Sequence, residues 1–193
     1  MKNNFENLIK FHFKEHAFVL QSTSLNLINK LEKASSHLSK VLSNGKKIFW
    51  CGNGGSASDS VHLSAELIGR FKKNRIPLKS IALPNDPATM TCISNDFGFE
   101  KIFSRQIEGL GEHGDVLIAI TTSGNSKNIL EAIKEAKRKK MKVISFLGKT
   151  GGKCKGKADL EFMIKSNSTA RIQEMHILLG HILCDLIERK LKL

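Results

Sequence analysis

The chain has 193 residues, of which 40% are hydrophobic and 25% are charged, and this composition is that of an ordinary globular protein and excludes a disordered one. Its net charge of +13 suggests an anionic partner, but the chain has no Tyr, and no aromatic residue interrupts its most basic segment, KTGGKCKGK at 149–157. Because base stacking needs aromatic side chains, the composition argues against nucleic acid and favours a role of the charge in solubility and in attracting anionic metabolites.

The first part of the chain, from residue 4 to 44, has a helical pattern. Apolar residues recur there at spacings of three and four, and Asn44-Gly45 ends the pattern as a helix C-cap would. We expect two helices, which form a helical lead-in over residues 1–45 of a single domain spanning residues 1–193.

From residue 46 onward, predicted strands and helices alternate. The strand-like runs are 47–51, 79–83, 115–120, 142–147 and 160–164. The helical stretches are 56–71, 86–109 in pieces, 126–140 and 169–191. Short, continuously apolar strands that alternate with helices indicate βαβ units and a parallel sheet covered on both faces. The predicted fold class is α/β, a doubly wound, flavodoxin-like, five-stranded parallel sheet.

The cysteines and the N-terminus bear on the compartment. The four cysteines are widely scattered and form no Cys-x-x-Cys pair, so we expect free, buried thiols in a reducing compartment. Charged residues interrupt the N-terminal apolar residues, so no signal-peptide core is present, and no apolar run is long enough to span a membrane. We therefore expect a cytoplasmic protein without a membrane partner.

Two glycine-containing segments resemble nucleotide-binding motifs. Gly52-Asn53-Gly54-Gly55-Ser56-Ala57 matches the G-x-G-x-x-A form, but the acid expected about 20 positions later is missing from FKKNRIPLKSIA at 71–82. Gly148-Lys149-Thr150 follows a strand, but Val143 stands where a P-loop has its first glycine. The missing acid leaves the dinucleotide interpretation weak, and the P-loop interpretation fails.

A second loop, Thr121-Thr122-Ser123-Gly124-Asn125-Ser126, follows the third strand and precedes a helix. It carries four hydroxyls, whereas a plain N-cap at Ser126 would need only one. Helix N-termini bind anions through free N–H groups, and hydroxyls complete the hydrogen bonds, so we predict a phosphate monoester site. Because ligands of such sheets bind at the carboxyl ends of strands, Asn53 and Ser56 of the glycine loop can bind sugar hydroxyls beside it. The two loops favour a sugar phosphate.

Two helices carry further polar groups. His62 and Glu66 lie one turn apart on one helix face, directly after the glycine loop, and this position favours catalysis over a surface ion pair. The last helix is apolar nearly all round, which predicts burial on both sides and a subunit interface. Its Gln173 and His181 are separated by about 12 Å along the axis. They can touch one ligand only by leaning together or by coming from different subunits.

Four motifs together resemble the phosphoheptose isomerases of the sugar isomerase (SIS) family: GNGGSASDSVHLSAELIGRF, SNDFGFEKIFSRQ, TTSGNS and RIQEMHILLGHIL. The resemblance covers nearly the whole chain. It implies an SIS α/β fold, a homotetramer with composite active sites, and interconversion of sedoheptulose 7-phosphate and D-glycero-D-manno-heptose 7-phosphate through an enediol. It also implies a place in heptose biosynthesis for lipopolysaccharide or capsule.

The resemblance also implies roles for individual residues. The residues that would bind the substrate are Asn53, Gly54, Gly55, Ser56, Glu66, Asn95, Asp96, Thr121, Thr122, Ser123, Ser126 and Gln173. The residues that would bind zinc are His62, Glu66, Gln173 and His181. Glu66 would be the catalytic base and His181 the acid, roles that suit a carboxylate and an imidazole near neutral pH.

One residue departs from the family pattern. Ala170 stands where the family has an Asp three residues before the Gln, which leaves the preferred sugar phosphate open. The run also resembles that of a non-enzymatic branch that binds the replication initiator DnaA, but that branch lacks the carboxylate and the second histidine, present here as Glu66 and His181. The enzyme is therefore favoured. A different sugar-phosphate isomerase and a sugar-phosphate sensor are also compatible with the two loops, and the sensor would tolerate loss of Glu66.

Overall fold

A computed structural model describes residues 2–193, with side chains from Asn4 onward. Its helices are α1 (Lys2–Ser43), α2 (Gly55–Ile68), α3 (Pro87–Phe97), α4 (Ser104–Leu110), α5 (Lys127–Arg138) and α6 (Thr169–Lys190). Its strands are β1 (Ile48–Cys51), β2 (Ser80–Ala82), β3 (Val116–Thr121), β4 (Lys142–Gly148) and β5 (Leu160–Ile164). Short 3-10 turns cover Leu83–Asn85, Phe99–Lys101 and Gly152–Cys154. The predicted α/β alternation is confirmed.

The five strands form one parallel sheet in the order β2-β1-β3-β4-β5. β1 pairs with β2 on one side and with β3 on the other, so the chain changes direction across the sheet between β1 and β3. This is the flavodoxin-like, doubly wound order, and it confirms the predicted fold class. The loops that follow β1 and β3 therefore emerge side by side at the carboxyl edge of the sheet.

Both faces of the sheet are buried because successive strand residues point to opposite sides. Ile48 and Trp50 of β1 join a core with α1, α2 and α6, whereas Phe49 and Cys51 join a core with α3, α4 and α5. The same alternation continues through β3 and β4. The helix that follows the glycine loop and the helix that follows the hydroxyl-rich loop thus cover opposite faces.

The N-terminal segment is one continuous helix, and the expectation of two helices is wrong. α1 has 42 residues, which corresponds to about 63 Å. Residues 2–43 include neither glycine nor proline, so nothing interrupts the backbone hydrogen bonds. The helix ends where Gly45 adopts a φ of 73° and the N–H of Lys46 donates to the carbonyl oxygen of Val41. This is the C-cap predicted at Asn44-Gly45.

The cysteines agree in part with the prediction of free, buried thiols. All four cysteines are free thiols, and three of them are buried. Cys92 is exposed, against expectation, because it lies on the outer side of α3. Among the helices of residues 2–193, none is long and apolar enough to cross a lipid bilayer.

His176 of α6 is enclosed between this helix and the sheet. Its side chain is fully buried, and its ring centroid lies 5.7 Å from that of Phe146 in β4. Burial lowers the pKa of His176 to about 4. The folded protein therefore holds a neutral imidazole in its core at neutral pH.

We expect His176 to make the fold sensitive to acid. In the unfolded chain its pKa returns to about 6.5, so the unfolded state takes up a proton first. The stability contributed by the neutral imidazole is complete above this pH and is lost as the pH falls toward 4, by up to about 3 kcal/mol. Urea unfolding of wild type and His176→Leu between pH 7 and 4 measures this loss.

The variant should lose less stability than the wild type over that range. His113→Asn, which changes an exposed imidazole, is the matched control and should keep the wild-type slope. If the free energy of unfolding fell equally with pH in wild type and in His176→Leu, the acid sensitivity would not come from His176.

Candidate active site

The glycine loop, residues 52–55, connects β1 directly to α2. A Cβ atom at position 52 would lie 2.3 Å from the carbonyl oxygen of Ser56, and Gly54 has a φ of 55°. Glycine is therefore needed at both positions, at the first for close packing and at the second for its left-handed backbone. Ser56 itself is buried, and its N–H donates to the carbonyl oxygen of Asn53 at 3.0 Å. The loop is a tight turn that places the N-terminus of α2 at the edge of the sheet.

The hydroxyl-rich loop, residues 121–126, connects β3 to α5. The buried hydroxyl of Thr121 accepts a hydrogen bond from the N–H of Gly124 at 3.1 Å, and the hydroxyl of Ser123 accepts one from the N–H of Asn125 at 3.2 Å. Ser126 is the N-cap residue of α5, but its side chain makes no capping hydrogen bond. Two hydroxyls thus shape the loop, while the hydroxyl of Ser126 and the first N–H groups of α5 can bind an anion.

An asparagine pair joins the two loops. The amide of Asn53 donates to the side-chain oxygen of Asn128 at 2.9 Å, and Asn128 donates back at 2.8 Å. Asn128 is buried in the first turn of α5, and sequence reasoning missed it. The available signal was an amide at a position where the helical pattern expects an apolar residue. A cleft of about 430 Å³ opens at this pair; its lining is Asn53, Phe99, Glu100, Ser126, Lys127 and Asn128.

The basic segment 149–157 packs against the hydroxyl-rich loop. The N–H of Cys154 donates to the carbonyl oxygen of Gly124 at 2.9 Å, and the N–H of Lys153 donates to the side chain of Asn125 at 3.1 Å. A Cβ atom at position 124 would lie 1.9 Å from the carbonyl oxygen of Gly151, so only glycine permits this contact. The most basic segment of the chain therefore adjoins the predicted phosphate loop.

His62, Glu66 and His181 come together where α2 packs on α6. The Nε2 atom of His62 lies 3.1 Å from a carboxylate oxygen of Glu66, and the rings of His62 and His181 have centroids 5.0 Å apart. One potential metal-binding atom from each of the three lies within 4.8 Å of the others. We call these three residues the His-Glu-His cluster.

The environment of His181 favours a neutral ring with a free nitrogen. Burial, and then the charge of His62, lower the pKa of His181, although Glu66 raises it. Its Nε2 atom is buried and has no hydrogen-bond partner within residues 2–193. Neutral imidazoles and carboxylates are ordinary zinc ligands, and catalytic zinc sites commonly use three protein ligands with one open position. The His-Glu-His cluster therefore fits a zinc ion.

Gln173 contacts a different part of α2 from His181. A Cβ atom at Gly55 would lie 2.4 Å from the Nε2 atom of Gln173, so this side chain rests on the first residue of the helix. Gly55 precedes His62 by seven residues, about 10 Å along α2. Arg171, two residues before Gln173, donates to the carbonyl oxygen of His12 in α1 at 2.7 Å. The start of α6 is thus fixed between α1 and the glycine loop.

Asn95 and Asp96 lie apart from these groups. Both are exposed on α3, which covers the face of the sheet opposite to α2 and α6. Asn95 donates to Asp96 at 2.8 Å, and no hydrogen bond in the described part of the chain joins either residue to the two loops. Within one chain, the structure does not bring them to the His-Glu-His cluster.

Asp59 is a further polar group that sequence reasoning missed. It lies one turn before His62 on α2, and one of its carboxylate oxygens is buried without a partner among residues 2–193. Burial raises the pKa of Asp59 to about 6, although the nearby His62 opposes this shift. A carboxyl group that titrates near neutrality beside a cluster of this kind can exchange protons. The three-residue spacing before His62 was its only signal in the sequence.

Comparisons with known proteins agree with this geometry. The family model described as the SIS domain matches residues 12–148. A phosphoheptose isomerase of Helicobacter pylori is 49% identical over 184 residues, which cover 95% of this chain and 96% of the relative. One from a Nitratiruptor species is 55% identical over 149 residues, which cover 77% of this chain and 80% of the relative.

Solved structures of phosphoheptose isomerases have the same fold. The structure from Neisseria gonorrhoeae has a TM-score of 0.89 at 40% identity and covers 96% of this chain and 99% of its own. The structure from Francisella tularensis has a TM-score of 0.92 at 38% identity, with 95% and 97% covered. Matches that cover about 95% of this chain span both loops and the helices of the His-Glu-His cluster. The chain therefore belongs to the phosphoheptose isomerase family of SIS-domain enzymes.

Proposed function

We propose that this protein interconverts sedoheptulose 7-phosphate and D-glycero-D-manno-heptose 7-phosphate. The observation that carries the proposal is that one chain contains two adjoining polar loops, which suit a sugar phosphate, and a carboxylate grouped with two imidazoles. The names of relatives that cover about 95% of this chain support the same reaction. The product would serve heptose biosynthesis for lipopolysaccharide or capsule in the cytoplasm.

The phosphate of the substrate binds at the hydroxyl-rich loop. Thr122, Ser123 and Ser126 surround the N-terminus of α5, where free N–H groups and the helix dipole favour negative charge. Thr121 holds the loop in shape through its bond to Gly124. The sugar chain then extends along the glycine loop, where Asn53, Gly54, Gly55 and Ser56 provide backbone and side-chain contacts. Asn95 and Asp96 would reach it only from a neighbouring subunit or after movement of α3.

Proton transfer is the task of Glu66 and His181. In an aldose–ketose isomerisation, one proton leaves the carbon that bears a hydroxyl and returns to the adjacent carbon, through an enediol. The Glu66 carboxylate takes the first proton and returns it, while His181 exchanges protons with the sugar oxygens. The half-buried ring of His181, whose pKa is lowered by burial, is suited to this exchange because a neutral imidazole can both donate and accept a proton.

The His-Glu-His cluster would also hold a zinc ion. Gln173, which contacts the start of α2 within one chain, would join it only after movement or from a neighbouring subunit. The chemistry that bound zinc supplies is polarisation of the sugar carbonyl and stabilisation of negative charge on its oxygen. The amide oxygen of Gln173 is a weaker ligand than the usual His or Cys, so we expect the ion to be held weakly.

The protein would act as a homotetramer with composite active sites. The first two thirds of α1 expose large apolar side chains: Phe5, Leu8, Ile9, Phe11, Phe13, Phe18, Leu25 and Ile28. Apolar residues of α6 such as Ile177 and Ile182 are also only half-buried in one chain. This many exposed apolar side chains on one helix indicate an interface with another protein, and further copies of this chain are its simplest occupants. Such assembly would bring residues of several subunits to each substrate.

A scaffold or a sensor explains fewer of the observed contacts than an enzyme does. A scaffold that binds the replication initiator, or a sensor, needs the fold and the phosphate loop. Neither needs a carboxylate held 3.1 Å from one imidazole with a second imidazole beside it.

We expect Glu66→Gln to lower kcat by roughly 10²–10⁴-fold, because general acid–base groups typically contribute this much. The assay follows aldose formation from sedoheptulose 7-phosphate with zinc supplied. Glu32→Gln, which neutralises an exposed carboxylate of α1, is the control and should be as active as wild type. Full activity of Glu66→Gln would show that Glu66 is not the catalytic base. An inactive wild type would favour initiator binding or a sensor function.

Removal of metal is expected to abolish turnover. A chelator should inactivate the wild type, zinc should restore it, and elemental analysis should show metal uptake in parallel, because the carbonyl oxygen then regains its positive partner. Undiminished turnover by metal-free protein would show that Glu66 and His181 act without zinc.

Gly55→Ala is expected to impair the reaction while the fold persists. The new Cβ would meet only the end of the flexible Gln173 side chain, at 2.4 Å, so Gln173 must move. A displacement of this size lowers kcat/KM by roughly 10–100-fold. Gly109→Ala in α4, where a Cβ meets nothing within 4 Å, is the matched control for an added methyl group. Equal kcat/KM for both variants and wild type would show that the position of Gln173 does not matter to the reaction.

A further inference from the structure

Glu188 near the end of α6 holds the segment that follows α2. Its carboxylate is almost fully buried and accepts hydrogen bonds from three successive N–H groups, those of Phe71 and Lys72 at 3.1 Å and that of Lys73 at 3.3 Å. Burial opposes ionisation, but these bonds and that of Arg75 keep the pKa of Glu188 below its usual value. The segment is therefore bound to α6 through a fixed negative charge.

Arg75 connects this charge to the helix that bears His62 and Glu66. Its Nε atom donates to Glu188 at 3.0 Å, in an ion pair with both side chains 1% exposed. Its other nitrogens donate to the carbonyl oxygens of Glu66 at 2.8 Å and Leu67 at 2.7 Å, in the last turn of α2. These carbonyls have no partner within the helix, so Arg75 acts as a C-terminal cap.

The same segment places an aromatic ring on His181. The rings of Phe71 and His181 stack with an interplanar angle of 22° and a centroid distance of 5.6 Å. On another side, the ring of His62 meets His181 edge-on at 75°. The His181 imidazole is thus held between two rings, one of which belongs to the segment bound by Glu188.

We propose that Phe71 is a positioning residue of the active site, anchored by the buried Arg75–Glu188 pair, which fixes the plane of the His181 ring and shields its face from water. A buried ion pair contributes little net stability compared with well-packed apolar residues, so stability alone does not account for it. Here the four hydrogen bonds that Glu188 accepts specify the path of residues 71–75, and this path places the Phe71 ring on His181. The kinetic part of this inference rests on the proposed function; the geometric part does not.

Phe71→Leu tests the stack because it keeps an apolar side chain and removes the ring. In metal-free protein, the His181 side-chain protons should lose their ring-current shift in the NMR spectrum. The dissociation constant for Co²⁺, read from its visible spectrum, should rise about 10-fold, since the loss of groups that orient a metal ligand typically costs 10–100-fold. In the isomerase assay, kcat should fall by a similar factor while KM stays within about twofold, because the phosphate loop lies elsewhere.

Two variants separate positioning from general damage. Phe71→Tyr keeps the ring and should behave as wild type. Phe97→Leu removes an exposed ring on α3, which stacks on Arg105 at 3.7 Å, and should change none of the three readouts. If Glu188→Gln folds, it should change the His181 shifts, the Co²⁺ affinity and kcat in the same direction as Phe71→Leu. If it does not fold, the test of the proposal is Phe71→Leu alone.

Unchanged His181 shifts and unchanged Co²⁺ affinity in Phe71→Leu would overturn the proposal. If the wild type fails to convert the heptose phosphate, the NMR comparison on metal-free protein still decides the positioning of His181. The proposed function and this inference can therefore fail separately.

Discussion

The close approach of α2 to α6 allows two separate stretches of chain to share one set of polar groups. A Cβ atom at Gly180 would lie 2.3 Å from a methyl carbon of Leu63, so a larger residue there would push the helices apart. Because the helices touch at this point, His181, the next residue of α6, meets the face of α2 that carries His62 and Glu66. Each of these side chains would be an ordinary surface group on an isolated helix.

The order of the strands explains why the two polar loops adjoin each other. Since β1 and β3 are neighbours, the glycine loop and the hydroxyl-rich loop emerge together. The pair of bonds between Asn53 and Asn128 then fixes one loop against the other, across the sheet edge that separates α2 from α5. A substrate would meet groups already ordered by the fold, so little conformational entropy would remain to be lost on binding.

Much of this could be predicted because the signals are local. Continuous apolar runs such as 116–120 define buried parallel strands, and hydroxyls placed between a strand and a helix indicate a polar loop at the carboxyl edge of the sheet. The single long helix could also have been predicted, since residues 2–43 contain neither glycine nor proline. Apolar periodicity alone, however, does not show whether a helical region is interrupted.

The contacts that escaped prediction are non-local. Phe71 follows α2 by only a few residues, but its stack on His181 depends on Glu188, more than a hundred positions later. An acid near the end of a helix, such as Glu188, has the pattern of a solvated residue, and only tertiary packing buries it. Likewise Gln173 and His181 lie on one helix, but the two ends of α2 that they contact follow from the packing angle and not from their spacing.

The apolar side chains along the first half of α1 have a thermodynamic consequence. A helix of about 63 Å extends beyond the part of the sheet that its second half covers, and Phe13 remains 74% exposed in one chain. If further copies of this chain cover this surface, they would bind the folded chain in preference to the unfolded one, and folding and association would become a single equilibrium. The midpoint of thermal unfolding would then rise with protein concentration, and dilution alone would weaken the fold that holds the catalytic groups in place.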